Sequence, residues 1–439
     1  MRLLIKGGYL LDPKKDKEGF FDVFVVDKRI YLVSENIDPN EVKAEKVINA
    51  EGLYVMPGFI DLHVHFRVPG EEYKEDLVTG SKSAARGGYT TVCTMPNTNP
   101  ALDTAKKVSS YIEQIKKEAV INVLPVGAIT IGRKGDELVN MDEMMEAGAV
   151  AFSEDGCSVK NSKIYLEALQ IASALNVPIF AHCEDLDLVN GGCVHDGEAA
   201  KKFGLKGIIR EAEDVITARD ILLAKRTKAR LHLCHVSTKG SVKLLEDAKK
   251  EGYSISGETG PHYYSLTDAD ITENHGRFKM NPPLRTNTDK EAIIRALSDN
   301  VLEAIATDHA PHSAEEKNTT IDKAKFGIVG LETAFSVSFT ELVNKGRISP
   351  LELVRRLTSG PAQILGMDNE IGTLSPGTVA DITLANPDVV YEINPEEFES
   401  KCKISPFAGK QVTGKVVTTI VGGNVVFKDS SVKITDLQA

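Results

Sequence analysis

Residues 59–65 read FIDLHVH, and this stretch carries the first evidence on the fold. Its apolar start is typical of a buried strand, and its end carries His63 and His65, two positions apart. Side chains two apart on a strand point to the same face, so both imidazoles are expected on one side of a sheet. A metal site and a hydrogen-bonded surface pair both fit this pattern, because two ligands do not define a zinc site.

Seven further apolar segments follow, with helix-length amphipathic segments between many of them. This alternation predicts parallel strands joined by helices, and eight repeats in about 300 residues predict a closed (β/α)8 barrel of the TIM type. An open doubly wound sheet is the alternative, but no GxGxxG motif follows the first strand. The seven segments are YTTVCTM (89–95), INVLPVG (121–127), GAVAFS (148–153), VPIFAHC (177–183), ARLHLCHV (229–236), YSISGE (253–258) and EAIATD (303–308).

Both ends of the chain contain short strand-like segments, such as FFDVFVV (20–26) and VTGKVVTTIVGG (412–423). Neither end is long enough to bury a good core alone. We therefore expect a small composite β-sandwich domain made of residues 1–56 plus 367–439. It stands beside a catalytic barrel domain of residues 57–366.

The composition excludes several functional classes. The 439 residues include 63 acidic and 52 basic side chains, and the formal charge of −11 argues against a nucleic-acid partner. No signal peptide and no stretch of ~20 apolar residues is present, so no membrane partner is expected. The six cysteines lack paired short spacing, which predicts reduced thiols in a cytoplasmic protein.

Metal-ligating side chains recur at the ends of the predicted strands. His182 lies at the end of the fifth strand, His235 at the end of the sixth and Asp308 at the end of the eighth. The carboxyl ends of barrel strands gather at one mouth, so these side chains are expected to converge with the histidine pair. After the fourth strand, Asp155 is a candidate bridging ligand. Glu154 is its alternative, because adjacent residues face opposite sides.

Strand alternation also sorts the remaining candidates. Cys183 and Cys234 each adjoin a proposed ligand, and alternation turns both away from the barrel interior if His182 and His235 face it. We interpret both cysteines as packing residues between strand and helix. Four other histidines have no persuasive strand-end position and are interpreted as structural: His195, His232, His262 and His275.

The motifs resemble those of class I dihydroorotases in the amidohydrolase superfamily. They are PGFIDLHVHFRVPG (57–70), MPNTNP (95–100), FSEDG (152–156), AHCED (181–185), HVST (235–238), NPPLR (281–285) and ATDHAPH (306–312). The resemblance implies a reversible, zinc-dependent cyclisation of N-carbamoyl-L-aspartate to L-dihydroorotate, the third step of pyrimidine biosynthesis, with one or two zinc ions per chain. Its small anionic substrate, aspartate transcarbamoylase and a second copy of the chain are the candidate partners.

The same resemblance implies roles for individual residues. Asp308 matches both the catalytic acid/base and a metal ligand of the family. Arg67 matches a substrate contact, and its planar guanidinium can donate two hydrogen bonds to a carboxylate, although a solvated loop charge is the alternative. The other matched metal ligands are His63, His65, Asp155, His182 and His235. The other matched substrate contacts are Asn97, Asn281, His312 and the backbone at Phe326 and Gly327.

Two rival functions are open to such a barrel. Hydantoinases and allantoinases share the HxH start, but they resemble one another in bridging their metals with a carboxylated lysine on the fourth strand. GAVAFSED here contains no lysine. A non-catalytic scaffold subunit should lack metal ligands, and none is missing here. The Glu154-Asp155 pair departs from the two aspartates frequent in the family, and the extra methylene bears on the local geometry of the fourth strand.

Residues 313–329, SAEEKNTTIDKAKFGIV, follow the last motif and are polar for most of their length. This composition fits a mobile lid that closes over the barrel mouth and excludes water. It fits an ordinary rigid loop equally well.

Overall fold

Eight parallel strands form the centre of the molecule. The computed structural model describes residues 1–437, and in it these strands pair in the order in which they occur along the chain. All eight predicted strands are present, which confirms the (β/α)8 barrel. Numbered here as barrel strands 1 to 8, they are Phe59–Val64, Tyr89–Thr94, Asn122–Ala128, Ala151–Ser153, Ile179–Ala181, Leu231–Leu233, Ile255–Thr259 and Ala304–Ile305.

Asp61 and the backbone around His309 close the barrel between strands 8 and 1. The buried Asp61 carboxylate accepts hydrogen bonds from the backbone N of Thr307 at 3.1 Å and from its Oγ1 at 2.6 Å. Beyond the strand ends, the N of His65 donates to the carbonyl of His309 at 2.8 Å. These contacts fix the first histidine-bearing strand against the segment that carries Asp308.

Helices surround the barrel, and several of them begin at a capping side chain. Asp76, for example, accepts a hydrogen bond from the N of Thr79 at 2.8 Å in a capping box. The helices are Leu77–Arg86, Ala105–Glu118, Met141–Glu146, Ser162–Leu175, Leu186–Val189, Glu198–Phe203, Glu211–Thr227, Lys239–Lys250, Pro261–Ser265, Asn287–Ser298, Ala314–Lys317, Ala334–Ser338, Pro350–Leu357 and Ser359–Leu365.

Two further sheets combine strands from both ends of the chain. They enclose a common apolar core that includes Leu3, Val25, Val55, Leu384 and Val417. The composite β-sandwich is therefore confirmed, while its limits at residues 56 and 367 stay a prediction. In spatial order, one sheet contains Ile434–Asp436, Lys46–Asn49, Arg2–Lys6, Asp22–Val26 and Arg29–Ser34. The other contains Asn424–Lys428, Gln411–Val421, Ile382–Glu392, Tyr54–Pro57, Tyr9–Asp12 and Lys17–Phe20.

The remaining global features concern thiols and helix length. All six cysteines are free thiols, as their spacing predicts. Within residues 1–437, no helix is both long and apolar enough to cross a lipid bilayer.

Candidate active site

His63 and His65 lie side by side at the end of barrel strand 1, with their ring centroids 5.2 Å apart. The strand's two-residue period directs both rings, together with Asp61, toward the barrel interior. The Nε2 of His63 lies 3.2 Å from Oδ1 of Asp155. The Nε2 of His65 lies 3.0 Å from Oδ1 of Asp308. The predicted pair therefore faces two carboxylates instead of solvent.

His182 and His235 form a second pair across Asp155. The Nδ1 of His182 lies 2.9 Å from Nε2 of His235 and 3.3 Å from Oδ1 of Asp155. The Nε2 of His235 lies 3.7 Å from the same Oδ1. The other Asp155 oxygen, Oδ2, lies 3.6 Å from Nε2 of His65. Asp155 thus stands between the two histidine pairs, with Oδ1 toward His63, His182 and His235 and Oδ2 toward His65.

Asp308 occupies the mouth just beyond barrel strand 8, where its φ of +48° departs from strand geometry. Its Oδ1 lies 3.6 Å from Nε2 of His63, in addition to the contact with His65. Burial raises the pKa of Asp308, but the hydrogen bond from His65 and the neighbouring imidazolium charges outweigh it and lower the pKa to about 2. Asp308 is therefore a carboxylate at neutral pH.

The six side chains fit a divalent metal ion. Two of their buried atoms, His63 Nε2 and Asp155 Oδ1, have no hydrogen-bond partner within the described structure. Four ligands held at about 2.0–2.2 Å in a tetrahedron stand about 3.3–3.6 Å apart, close to the separations found here. Burial lowers the pKa of His182, but Asp155 and Glu184 raise it to about 10, because the carboxylates attract positive charge. Nitrogen and oxygen donors suit zinc and similar ions.

Glu258 is a contact of the ligand set that sequence reasoning missed. Its carboxylate is fully buried inside the barrel; Oε1 lies 3.3 Å from Nδ1 of His63 and Oε2 lies 3.0 Å from Nε2 of His232. His232, interpreted as structural, therefore supports the site through Glu258. The sequence did contain a clue to Glu258. It is a charged residue at the end of the predicted seventh strand, where the other strands carry the metal-ligating side chains.

Asn97 and Glu184 contact three other ligands: His65, Asp155 and His182. Asn97 Oδ1 lies 2.9 Å from Nδ1 of His65, while its Nδ2 donates to Oδ2 of Asp155 at 3.1 Å. Glu184 Oε2 lies 3.3 Å from Nε2 of His182, and the Glu184 side chain also hydrogen-bonds Asn281. Asn97 thus contacts the ligands directly, and Asn281 is connected to them through Glu184.

The structure settles the choice between Glu154 and Asp155. The Glu154 carboxylate accepts hydrogen bonds from the N of Ile129 at 3.2 Å and from the N of Thr130 at 3.1 Å. A further bond from Thr130 Oγ1 completes this set. These bonds turn Glu154 toward the loop after barrel strand 3 and leave Asp155 at the centre.

One cysteine prediction is right and the other is wrong. Cys183 packs toward the helices, with its Sγ 4.0 Å from Oδ2 of Asp220 on helix Glu211–Thr227. Cys234, however, packs with the barrel interior and lies beside His63. Alternation fails here because barrel strand 6 ends at Leu233 and His235 has a φ of +36°. Burial raises the pKa of Cys234 to about 12, so it is a neutral thiol.

The predicted substrate contacts Arg67, His312 and Phe326 lie together on one side of the mouth. Arg67 Nε donates to the carbonyl of Pro311 at 3.1 Å, and its Nη2 lies 3.3 Å from Nε2 of His312. His312 Nε2 in turn donates to the carbonyl of Phe326 at 2.7 Å. Burial, followed by the charge of Arg67, lowers the pKa of His312 to about 3, so it is a neutral donor. Gly327 continues this rim with a φ of +134°.

The remaining histidines lie apart from the six ligands. His195 Nδ1 stands 3.4 Å from Nη1 of Arg285, and His275 accepts from the N of Arg277 in a helix cap. His262 is buried, and burial lowers its pKa to about 4. His309 accepts a hydrogen bond from the N of Gly330 at 3.2 Å and so faces away from the centre.

Comparison with known proteins agrees with this geometry. The dihydro-orotase-like family model matches residues 52–241, and an amidohydrolase family model matches residues 326–427. A dihydroorotase of Pelotomaculum thermopropionicum is 46% identical over 99% of this chain and 100% of its own length. One of Acetivibrio thermocellus is 43% identical over 97% and 99%, respectively. The chain belongs to the dihydroorotase family. The resemblance drawn from the motifs is confirmed, and the family is part of the amidohydrolase superfamily.

Solved structures share the fold across a wider group of dihydroorotase relatives. The L-hydantoinase (dihydropyrimidinase) of Arthrobacter aurescens has a TM-score of 0.88 and 28% identity, covering 98% of this chain and 97% of its own. The dihydropyrimidinase of Brevibacillus agri has a TM-score of 0.85 at 24% identity, covering 98% and 95%, and shows the fold alone. The fold is thus shared with proteins named hydantoinase and dihydropyrimidinase, and the site residues must distinguish among them.

Proposed function

We propose that the chain catalyses the reversible cyclisation of N-carbamoyl-L-aspartate to L-dihydroorotate, the third step of pyrimidine biosynthesis. The observation that carries this function is the convergence of six buried donor side chains beside Arg67 at one barrel mouth. A half-buried guanidinium next to these donors suits a substrate that is both a cyclic amide and a carboxylate.

The donor set divides into two groups that share Asp155. A divalent ion bound here would polarise the ring carbonyl and activate water for attack. We assign zinc on the nitrogen and oxygen donors, with one or two ions per chain. One group comprises His63, His65 and Asp308. The other comprises His182 and His235. Asp155 reaches both groups, because its Oδ1 lies near His63, His182 and His235 and its Oδ2 lies near His65.

Asp308 is assigned as the catalytic acid and base. As a carboxylate at the mouth, it can accept the proton of the attacking water. It then delivers this proton to the departing amide nitrogen when the ring opens. In the cyclisation direction each transfer is reversed, so Asp308 takes the proton from the carbamoyl nitrogen.

The substrate is held by the predicted substrate-contact residues at the barrel mouth. Arg67 pairs with the ring carboxylate, while His312 and the backbone at Phe326 and Gly327 complete the contact. Asn97 and Asn281 supply amide groups near the ligands. Arg67 brings local positive charge to an otherwise acidic protein, which suits the small anionic substrate.

Hydantoin hydrolysis is the second candidate function, favoured by the shared fold. Hydantoin lacks the carboxylate that Arg67 suits, and the fourth strand offers Asp155, not a lysine, as a candidate bridging ligand. The test is a parallel assay of the purified chain with dihydroorotate, hydantoin and allantoin, with and without added zinc. We expect turnover of dihydroorotate alone, dependent on metal. Faster turnover of hydantoin contradicts the proposal, and absence of any turnover favours the scaffold function.

The proposal also covers the partners of the chain and its location in the cell. The free thiols support a cytoplasmic location. Association with aspartate transcarbamoylase or with a second copy of the chain stays a prediction. Size-exclusion chromatography of the chain, alone and with aspartate transcarbamoylase, tests both partners.

A further inference from the structure

The ammonium group of Lys317 is buried beneath the barrel mouth, at the end of the short helix Ala314–Lys317. Only 1% of the residue is exposed. Its Nζ donates hydrogen bonds to three backbone carbonyls: Lys279 at 3.0 Å, Lys325 at 3.0 Å and Gly327 at 2.7 Å. An ammonium has three N–H donors, so these acceptors use all of them.

This arrangement is costly for the fold. A buried charge is stable only with compensating partners, and those of Lys317 are carbonyl dipoles. Burial lowers its pKa to about 7; the charge of Lys279 acts in the same direction, and the opposing influence of Cys402 and Glu316 is smaller. An unbranched apolar side chain would fill similar space without this cost, so packing alone does not account for Lys317.

The carbonyls that Lys317 binds surround Phe326 and Gly327, whose backbone is proposed to contact the substrate. Between two of them, the carbonyl of Phe326 accepts from Nε2 of His312 at 2.7 Å. The N of Gly327 donates to the carbonyl of Lys279 at 3.1 Å. A Cβ at Gly327 would lie 2.5 Å from the carbonyl oxygen of Ala310, so the segment is pressed against the chain that follows Asp308. Every carbonyl from 325 to 327 is therefore bound from the protein side.

We infer that Lys317 is a positioning residue that holds the Phe326–Gly327 backbone in place for substrate binding, without touching substrate. This inference rests on the proposed function, in which that backbone contacts the substrate. Residues 313–329 then combine a polar exterior with an internal anchor at Lys317. Ile321, fully buried in the same segment, adds an apolar anchor.

The test compares Lys317→Met with Arg356→Met in the full-length, metal-loaded enzyme. Arg356 is equally buried, and its Nη2 donates to the carbonyl of Leu297 at 2.9 Å, near the end of the helix that returns from the mouth. Both changes remove a buried basic side chain that donates to backbone carbonyls, three for Lys317 and one for Arg356, which also pairs with Glu352. Only Lys317 lies at the rim. The measurements are KM and kcat for dihydroorotate, bound metal, thermal unfolding and hydrogen exchange of residues 318–329.

We expect Lys317→Met to raise KM about tenfold or more, with kcat within threefold and bound metal unchanged, because a preformed contact surface is lost. Exchange of residues 318–329 should accelerate. Arg356→Met should lower the unfolding temperature and leave KM within twofold. An unchanged KM in folded Lys317→Met, or an equal rise in Arg356→Met, overturns the inference.

If Lys317→Met does not fold, a second variant, Lys317→Gln, replaces it in the test. The amide of Lys317→Gln removes the charge and one N–H, and a KM equal to that of wild type would again overturn the inference. Absence of turnover in the wild-type enzyme would instead refute the proposed function.

Discussion

Glu258→Gln tests whether a residue that contacts a metal ligand, without being a proposed ligand itself, affects metal binding. His63 can offer Nε2 to a metal only when its proton is on Nδ1, and Oε1 of Glu258 lies 3.3 Å from that Nδ1. The second oxygen of the same carboxylate lies 3.0 Å from Nε2 of His232. Glutamine replaces one oxygen with an NH2 group, which cannot accept a hydrogen bond from an imidazole N–H.

The size of the effect follows from the burial of Glu258. No solvent reaches the carboxylate, so the lost acceptor is not replaced by water. Either His63 or His232 loses its partner, or His63 changes tautomer and turns a proton toward the metal. Loss of such an outer contact typically costs 10–100-fold in metal affinity, or about 1.4–2.7 kcal/mol.

The assay is competition for zinc between the protein and a chelator of known affinity, with unfolding by urea as the stability control. Glu246→Gln is the matched variant, because Glu246 lies on the outer helix Lys239–Lys250, where it pairs with Lys250 and with Arg295 of the neighbouring helix Asn287–Ser298. We expect weaker zinc binding in Glu258→Gln only. Equal affinity in both folded variants would refute the tautomer argument.

Three further outcomes follow from the site and the fold. Asp308→Asn should lower kcat in both directions by about 10²–10⁴ with unchanged circular dichroism, and retention of a tenth of the wild-type rate contradicts the assignment. Arg67→Met should lower kcat/KM for dihydroorotate by about 2–3 kcal/mol, whereas any turnover of uncharged hydantoin stays the same; equal losses would assign Arg67 to the fold. Burial raises the pKa of Asp429, but the hydrogen bond from Lys415 outweighs it and lowers the pKa to about 2. Because this value lies below that of the unfolded chain, the pair stabilises the fold above about pH 4 and loses its effect toward pH 2. Asp429→Asn should therefore cost at most about 1 kcal/mol at pH 7, after allowance for solvent screening, and less at pH 3. Urea midpoints that differ from wild type equally at both pH values would exclude this pairing.

The barrel was predictable because each strand is a local apolar run. The side-chain direction of His63 and His65 was equally predictable, since barrel strand 1 continues to Val64 and both rings lie on one side of it. Alternation could not orient Asp155, because barrel strand 4 ends at Ser153. There the hydrogen bonds of Thr130 to Glu154 decide the outcome, and they come from a different part of the chain.

Contacts between residues distant in sequence account for the other features of the site that the sequence did not predict. The error at Cys234 arose because the backbone turns at His235, and a left-handed φ in a non-glycine residue has no reliable sequence signal. Glu258 was overlooked because its partner His63 is 195 positions away. Lys317 belongs to a segment that looks uniformly polar, and only its three carbonyl contacts separate it from surface lysines.

The sheet that joins both chain ends cannot form until the ribosome has made its C-terminal strands. Strand Tyr54–Pro57 pairs with strand Ile382–Glu392, which the ribosome makes roughly 300 residues later, or about 15–60 s at typical elongation rates. Until then one edge of Tyr54–Pro57 has no antiparallel neighbour, and an open edge can capture a strand of another molecule. Nascent chains that stall before residue 382 should therefore depend on chaperones, whereas finished chains seal this edge themselves.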